Sequence, residues 1–226
     1  MTSRTSDVQK ILSEATHIFF DFDGPICDIF AGLPAPTVAA TLRDYLAPLR
    51  LDLPGSITTE TDPLEILRYA ASAGPLVAAT VEAGLRGLEL QAALSAAPTP
   101  DAAEAIRHFH ASGRRLAIVS NNSDAAVKVY TDRCALSGCF DLISARAVFQ
   151  DPALLKPHPH LITQAVDGLD AAPARCVLIG DSITDIQGAQ KAGVRSIGYA
   201  NKPGKQDALA AAGADAVVTA MAQLIP

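Results

Sequence analysis

Apolar residues arrive along this chain in short unbroken runs, not in alternation with polar ones. Such runs, carrying β-branched or aromatic residues, are HIFFDF (17–22), RLAIVS (115–120), FDLISA (140–145), RCVLIG (175–180), RSIGYA (195–200) and ADAVVT (214–219). A strand wetted on one face alternates, whereas a strand covered on both faces reads as a continuous apolar run. Helical stretches lie between the later runs. DAAEAIRHFHASG (101–113) opens on Asp101, an N-cap candidate, and stops at Gly113; SDAAVKVYTDRCALSG (123–138) and TDIQGAQKAG (184–193) repeat the polar start and Gly stop. Buried strands separated by helices predict a doubly wound parallel α/β sheet, whose ligands bind beyond the carboxyl ends of the strands.

One interval breaks the rhythm. Between Asp28 and about Pro98 no strand pattern appears, but TVAATLRDYLAPL, DPLEILRYAASAG and PLVAATVEAGLRGLELQAALSAA have helical character. Residues 29–98 are therefore expected to form a helical insert, or cap, that rejoins the main domain (1–28 and 99–226) through the Pro-bearing hinge APTPD.

Composition narrows the partners. The 226-residue chain is 49% hydrophobic without a single Trp, so its core must rest on Ala, Leu, Ile and Val. A formal charge of -6 argues against nucleic acid or an anionic membrane as partner, since both attract clustered Lys and Arg. A small phosphate ester is still admissible if the pocket keeps local positive charge or a metal. The N-terminal stretch lacks the apolar run of a signal peptide and no segment has the length of a membrane span, so a cytoplasmic location is expected, as a monomer or homodimer. Cys27, Cys134, Cys139 and Cys176 have no metal-like spacing and read as small buried thiols.

Four groups of chemically capable residues follow the apolar runs. In DFDG, Asp21 and Asp23 are two apart on an extended chain and point the same way. Neighbouring carboxylates raise each other's proton affinity, a conflict that a divalent cation or a shared proton removes. In VSNNS, Ser120 and Asn121 offer a hydroxyl and exposed N–H groups to phosphate oxygens, although Ser120 also reads as an ordinary helix cap. In LLKPHPHLI, Lys156 stands between an apolar pair and a Pro that fixes its backbone; the competing reading is a solvated surface Lys. In VLIGDSITD, Asp181 and Asp185 end another buried run, where capping is the plainer explanation for each alone. Oxygen ligands of this kind favour Mg²⁺ over Zn²⁺.

In this order the four groups resemble the motifs of the haloacid dehalogenase-like hydrolases: DxDG in DFDG, an apolar strand ending in Ser in LAIVSNN, a basic residue in KPHP, and GDxxxD in GDSITD. The resemblance extends over residues 17–28 and 99–200, and the insert is similar to the helical cap of the family's first cap subclass, with phosphoglycolate phosphatases as the nearest type. It implies a Mg²⁺-dependent phosphatase acting through a phospho-aspartate. Asp21 is then the nucleophile and Asp23 the general acid and base. Ser120, Asn121 and Lys156 hold the phosphoryl group, and Asp21, Asp23 (through its carbonyl), Asp181 and Asp185 surround the metal. A sugar phosphomutase of the β-phosphoglucomutase type shares all four motifs, and a catalytically silent binding protein is the alternative outside enzymology. Asp28 takes the acidic hinge position. Pro25 departs from the family pattern, removes an N–H and predicts a stiffer loop. The insert has no Lys; of its arginines, Arg43, Arg50, Arg68 and Arg86, one is a candidate anion binder, with surface snorkelling as the plain alternative.

Overall fold

The computed structural model describes residues 2–49 and 52–225, with side chains from residue 7 onward. Arg50 lies outside the described residues. Helix α1 (Thr2–Glu14) leads into strand β1 (His17–Phe20), then β2 (Cys27–Asp28). The insert follows as α2 (Ala35–Leu46), α3 (Gly55–Thr58), α4 (Pro63–Ser72) and α5 (Pro75–Ser95), and closes at β3 (Ala97–Pro98). Next come α6 (Ala102–Ala111), β4 (Arg115–Ser123), α7 (Asp124–Arg133) and β5 (Leu142–Arg146). The chain then continues through α8 (His160–Gly168), β6 (Cys176–Gly180), α9 (Ile183–Lys191), β7 (Arg195–Tyr199), α10 (Lys205–Ala211) and β8 (Ala216–Val218).

Every apolar run becomes a strand of one parallel six-stranded sheet, ordered β5-β4-β1-β6-β7-β8. Strand β1 is central: Phe20 is in register with Ile118 on β4 and Ile179 on β6. Its period of two divides the core. Ile18 and Phe20 pack with α1, α6 and α7, whereas Phe19 packs with α8 and with α2, α4 and α5 of the insert. A one-residue slip would exchange these faces, so burial on both sides fixes the register. The chain leaves β1 toward β4 and β5 on one side and returns to β6, β7 and β8 on the other. The switch crevice therefore opens at the carboxyl end of β1.

Several local expectations change. Strand β4 runs on to Ser123, with a register shift between Ser120 and Ser123 where it passes Ala145 and Arg146 of β5. Helix α7 ends at Arg133, and Ala135, with φ 52°, takes the left-handed position expected of Gly138. Asp101 stands at the start of α6 with φ 61°, but its side chain makes no capping bond. The two-residue β2–β3 pair, Cys27 with Pro98 and Asp28 with Ala97, is too short to leave a periodic signal.

A buried ion cluster joins the insert to the sheet. Arg146, fully buried at the end of β5, pairs with Glu82 and with Glu89 (2.6 Å), which lie two turns apart on α5. Its Nε donates to the carbonyl of Asn121 at 3.1 Å. Glu89 also accepts from the Ser123 N–H (3.0 Å) and Asn122 Nδ2 (3.3 Å), and Arg86 donates to the Arg146 carbonyl (3.1 Å) and pairs with Asp124 (2.5 Å). Helix α5 thus holds the β4–α7 turn at each of its residues from Asn121 to Asp124, directly or through Arg146. Removing one member of such a cluster leaves buried charge uncompensated. Arg146→Met is expected to destabilise the fold by about 3–5 kcal/mol in urea titrations at neutral pH, with much of that recovered when Glu82→Gln and Glu89→Gln are added. A loss under about 1 kcal/mol in the single variant would contradict the cluster's structural role.

Candidate active site

Strand β1 delivers Asp21 to the crevice. The Asp21 N–H donates to the carbonyl of Ile179 (2.9 Å), fastening it to β6, while its Oδ1 accepts from the Phe22 N–H (2.7 Å) and pairs with Lys156 Nζ (2.8 Å). The chain then turns sharply: Gly24 donates to the Cys27 carbonyl (2.7 Å), and Ile26 and Cys27 donate to that of Phe22. Gly24 has φ 97°, and a Cβ there would lie 2.6 Å from Asp181 Oδ2, so the close approach of this turn to Asp181 requires glycine. Pro25 occupies a buried corner of the turn, whose closing N–H groups come from Gly24, Ile26 and Cys27. Cys27 is buried against the same turn, and burial pushes its thiol far above the ordinary range, which makes it unreactive.

Asp23 is half-buried, and its Oδ1 accepts from the Ile29 N–H at 3.1 Å. Burial pushes its carboxyl up to about 6; the Ile29 bond opposes the shift, and the Asp181 and Asp28 charges add to it. Ser120 is fully buried. Its Oγ donates to Asn122 Oδ1 (3.2 Å) and accepts the Asn122 N–H (3.1 Å). Helix α7 is capped by Ser123, whose Oγ accepts from Ala126, so capping does not account for Ser120. The Asn121 side chain grips the backbone of Lys156 at both ends, accepting its N–H (2.8 Å) and donating to its carbonyl (3.2 Å).

Lys156 is no surface residue. Only 2% exposed, its ammonium donates to the Val119 carbonyl (2.9 Å) and pairs with Asp21 and with Asp185 Oδ1 (2.5 Å). Burial disfavours its charge, but the two carboxylates outweigh burial and hold it protonated. Asp185 is fully buried, and its other oxygen accepts from the Ser182 N–H (3.0 Å) and Oγ (2.6 Å) in a capping box at the start of α9. Capping therefore accounts for part of Asp185. It does not account for Asp181, whose Oδ2 pairs with Lys205 and accepts from Asn201 Nδ2 (3.0 Å).

Carboxylate oxygens of Asp21, Asp181 and Asp185 all lie within 4.8 Å of one another; the Asp23 carboxylate is outside this group. Burial, with the Asp185 and Asp181 charges added, drives the Asp21 carboxyl well above its usual range despite Lys156. Three crowded carboxylates, met by the ammonium groups of Lys156 and Lys205, match a hard divalent cation such as Mg²⁺. Above them opens a cavity of about 480 Å³, with Asp21, Asp23, Lys156 and Asp181 on the sheet side and residues of the insert opposite.

Glu89 and Arg146 were not legible as site residues. The available signal was Glu82 and Glu89 recurring at a seven-residue interval on an otherwise Ala- and Leu-rich helix, which places two acids on one face. Arg43 reaches the Glu60 carbonyl, Arg68 pairs with Glu65, and Arg86 belongs to the Arg146 cluster, so none of the three lines the cavity.

Residues 15–193 match the family model described as haloacid dehalogenase-like hydrolase. The chain is 27% identical to the probable phosphatase IndB of Dickeya dadantii, over 92% of this chain and 91% of that protein. It is 28% identical to the phosphoglycolate phosphatase of Caulobacter vibrioides, over 82% and 81%. Among solved structures, a putative haloacid dehalogenase-like hydrolase from Bacteroides fragilis superimposes with a TM-score of 0.72 at 21% identity, covering 93% of this chain and all of that one (100%).

The Asp23 shift has a thermodynamic consequence. A carboxyl held near 6 in the fold and near 3.8 when unfolded favours the fold when protonated. That contribution is complete below about pH 4 and is lost as pH rises through about 6. Asp23→Asn keeps an acceptor for Ile29 and removes the titration. In chelator-treated protein it is expected to raise stability over wild type by about 2 kcal/mol at pH 7.5, with the gain vanishing near pH 4 in urea titrations.

Proposed function

The chain belongs to the haloacid dehalogenase-like hydrolases, and from that premise we propose that it is a phosphatase that hydrolyses a small phosphorylated metabolite through a phosphorylated Asp21. The observation that carries this reading is the placement of Asp21 against Lys156 Nζ at 2.8 Å, at the floor of a cavity where Asp23 also emerges. The names of its relatives, a probable phosphatase and a phosphoglycolate phosphatase, support the reaction class.

In the first step an Asp21 carboxylate oxygen bonds to phosphorus as the bond to the leaving alcohol breaks. Asp23 protonates that alcohol, a task suited to a carboxyl held near 6. In the second step Asp23, now ionised, takes a proton from water. The water oxygen bonds to phosphorus, inorganic phosphate leaves, and Asp21 is restored. Lys156 keeps its charge throughout and offsets the negative charge gathered on Asp21 and the phosphoryl oxygens. Asp185 positions Lys156, and Asn121 fixes the backbone from which Lys156 projects. Ser120 exchanges its Asn122 bond for a phosphoryl oxygen. Asp21, Asp181 and the Asp23 carbonyl would hold Mg²⁺, with Asp185 behind them; when bound, the ion screens the repulsion between carboxylate and phosphate. The helices of 29–98 serve as the cap that closes the cavity over the substrate.

Asp21→Asn is expected to leave the protein folded and to lower the hydrolysis of p-nitrophenyl phosphate at least about 10³-fold, the scale seen when a nucleophile is removed. Chelation should abolish wild-type activity and added Mg²⁺ restore it. Turnover of the folded Asp21→Asn variant at the wild-type rate would refute a covalent role for Asp21.

A further inference from the structure

The insert's side of the cavity is where a leaving alcohol would lie, and its wall is formed by Phe30, Pro36, Thr61, Asp62, Leu64 and Glu89. None of these is basic. Residues 29–98 contain neither Lys nor His, and their described arginines are engaged elsewhere: Arg43 with the Glu60 carbonyl, Arg68 with Glu65 and the Lys156 carbonyl (3.4 Å), and Arg86 with Asp124. Among the described residues Lys156 is the one basic member of the cavity lining, and it already faces Asp21 and Asp185. An incoming phosphoryl group adds to that demand.

The acids of the wall differ in their freedom. Glu89 is fully buried and neutralised by Arg146. Asp62 is exposed at the wall; one oxygen caps α4 by accepting the Leu64 N–H (2.8 Å), and among the described residues it forms no ion pair. Glu60 stands beside it, its Oε1 accepting the N–H groups of Thr61 and Asp62 at 2.7 and 2.8 Å. A second anion on the substrate lying against this wall would meet these carboxylates with no cation among the described residues of the insert turned toward it, since Lys202, whose charge acts on Asp23, and Lys205, paired with Asp181, belong to the sheet side. Like charges at short range in a partly dry cleft repel strongly. An ammonium group would meet a carboxylate with an oxygen to spare.

On the phosphatase reading given above, we propose that the alcohol released by this enzyme carries no negative charge, and that an ammonium group facing Asp62 fits the cavity best. This separates the chain from the phosphoglycolate phosphatases it resembles, whose named substrate carries a carboxylate on the leaving alcohol. The cavity of about 480 Å³ matches small esters.

Three near-isosteric esters test the proposal: 2-aminoethyl phosphate, 2-hydroxyethyl phosphate and phosphoglycolate, compared by kcat/KM at fixed Mg²⁺ and ionic strength, with p-nitrophenyl phosphate as the reporter of the reaction itself. The hydroxy ester is expected to exceed phosphoglycolate at least about tenfold, and the amino ester to exceed the hydroxy ester by about threefold, the size of an exposed ion pair. Asp62→Asn, which retains the cap, should bring the amino-to-hydroxy ratio close to one, and Asp62→Lys should raise phosphoglycolate relative to the hydroxy ester. Phosphoglycolate equal to or ahead of the hydroxy ester overturns the proposal while leaving the phosphatase reading intact. An amino ester slower than the hydroxy ester, or a ratio unmoved by Asp62→Asn, overturns the role of Asp62. Failure of all four esters, p-nitrophenyl phosphate included, overturns the phosphatase reading and with it the charge preference.

Discussion

Asp21, Asp181 and Asp185 meet at the carboxyl ends of β1 and β6 with their oxygens within 4.8 Å, and Lys156 is the buried cation that makes the crowd tolerable. Three carboxylates in a site largely screened from water repel one another and lose hydration. An ammonium placed among them returns Coulombic energy only if its geometry is good. The geometry here is imposed from three directions. Nζ is held by the Val119 carbonyl of β4, by Asp21 after β1 and by Asp185 of α9, and the Lys156 backbone is clasped by Asn121. One charged atom thereby joins a central strand, its neighbour and a helix on the far side of the crevice.

Asn121 links this cluster to a second one. Its carbonyl accepts from Arg146, whose guanidinium meets Glu82 and Glu89 of α5. The floor of the cavity and the last helix of the insert are therefore tied through one asparagine, with a buried cation on either side of it. A further crossing between insert and sheet domain is the short β2–β3 pair, braced by the Thr99 hydroxyl, which donates to the Gly24 carbonyl at 2.6 Å. Both connections reach the turns that carry Asp23 and Ser120. The insert's face of the cavity and the carboxylates on its floor are thus held by the same contacts.

Much of this was legible from residue order. The continuous apolar runs announced a sheet covered on both faces, because burial on both sides removes polar alternation, and the motif residues fall where strand ends predict them. Helices α1 and α10 were not anticipated. In α1 the buried residues Val8, Ile11 and Leu12 are sparse among polar ones. The plain readings of single residues also divided in ways no local signal foretold. Ser120 is not a cap because Ser123 is one, and Asp185 is a cap and a partner of Lys156 at once.

By itself the sequence determined the strand-helix alternation, the family motifs and the absence of Lys and His from residues 29–98, since periodicity, spacing and composition are properties of the chain in one dimension. Tertiary structure alone decided which charges face each other. It brought Lys156 to Asp21 across 135 residues, turned Arg86 toward Asp124 and Arg146 toward the buried Glu82 and Glu89, and left Asp62 on the cavity wall with no ion pair among the described residues. The reason is physical: the energy of an ionised group depends on its burial and on partners within a few ångströms, and in a doubly wound sheet those partners come from the ends of different strands.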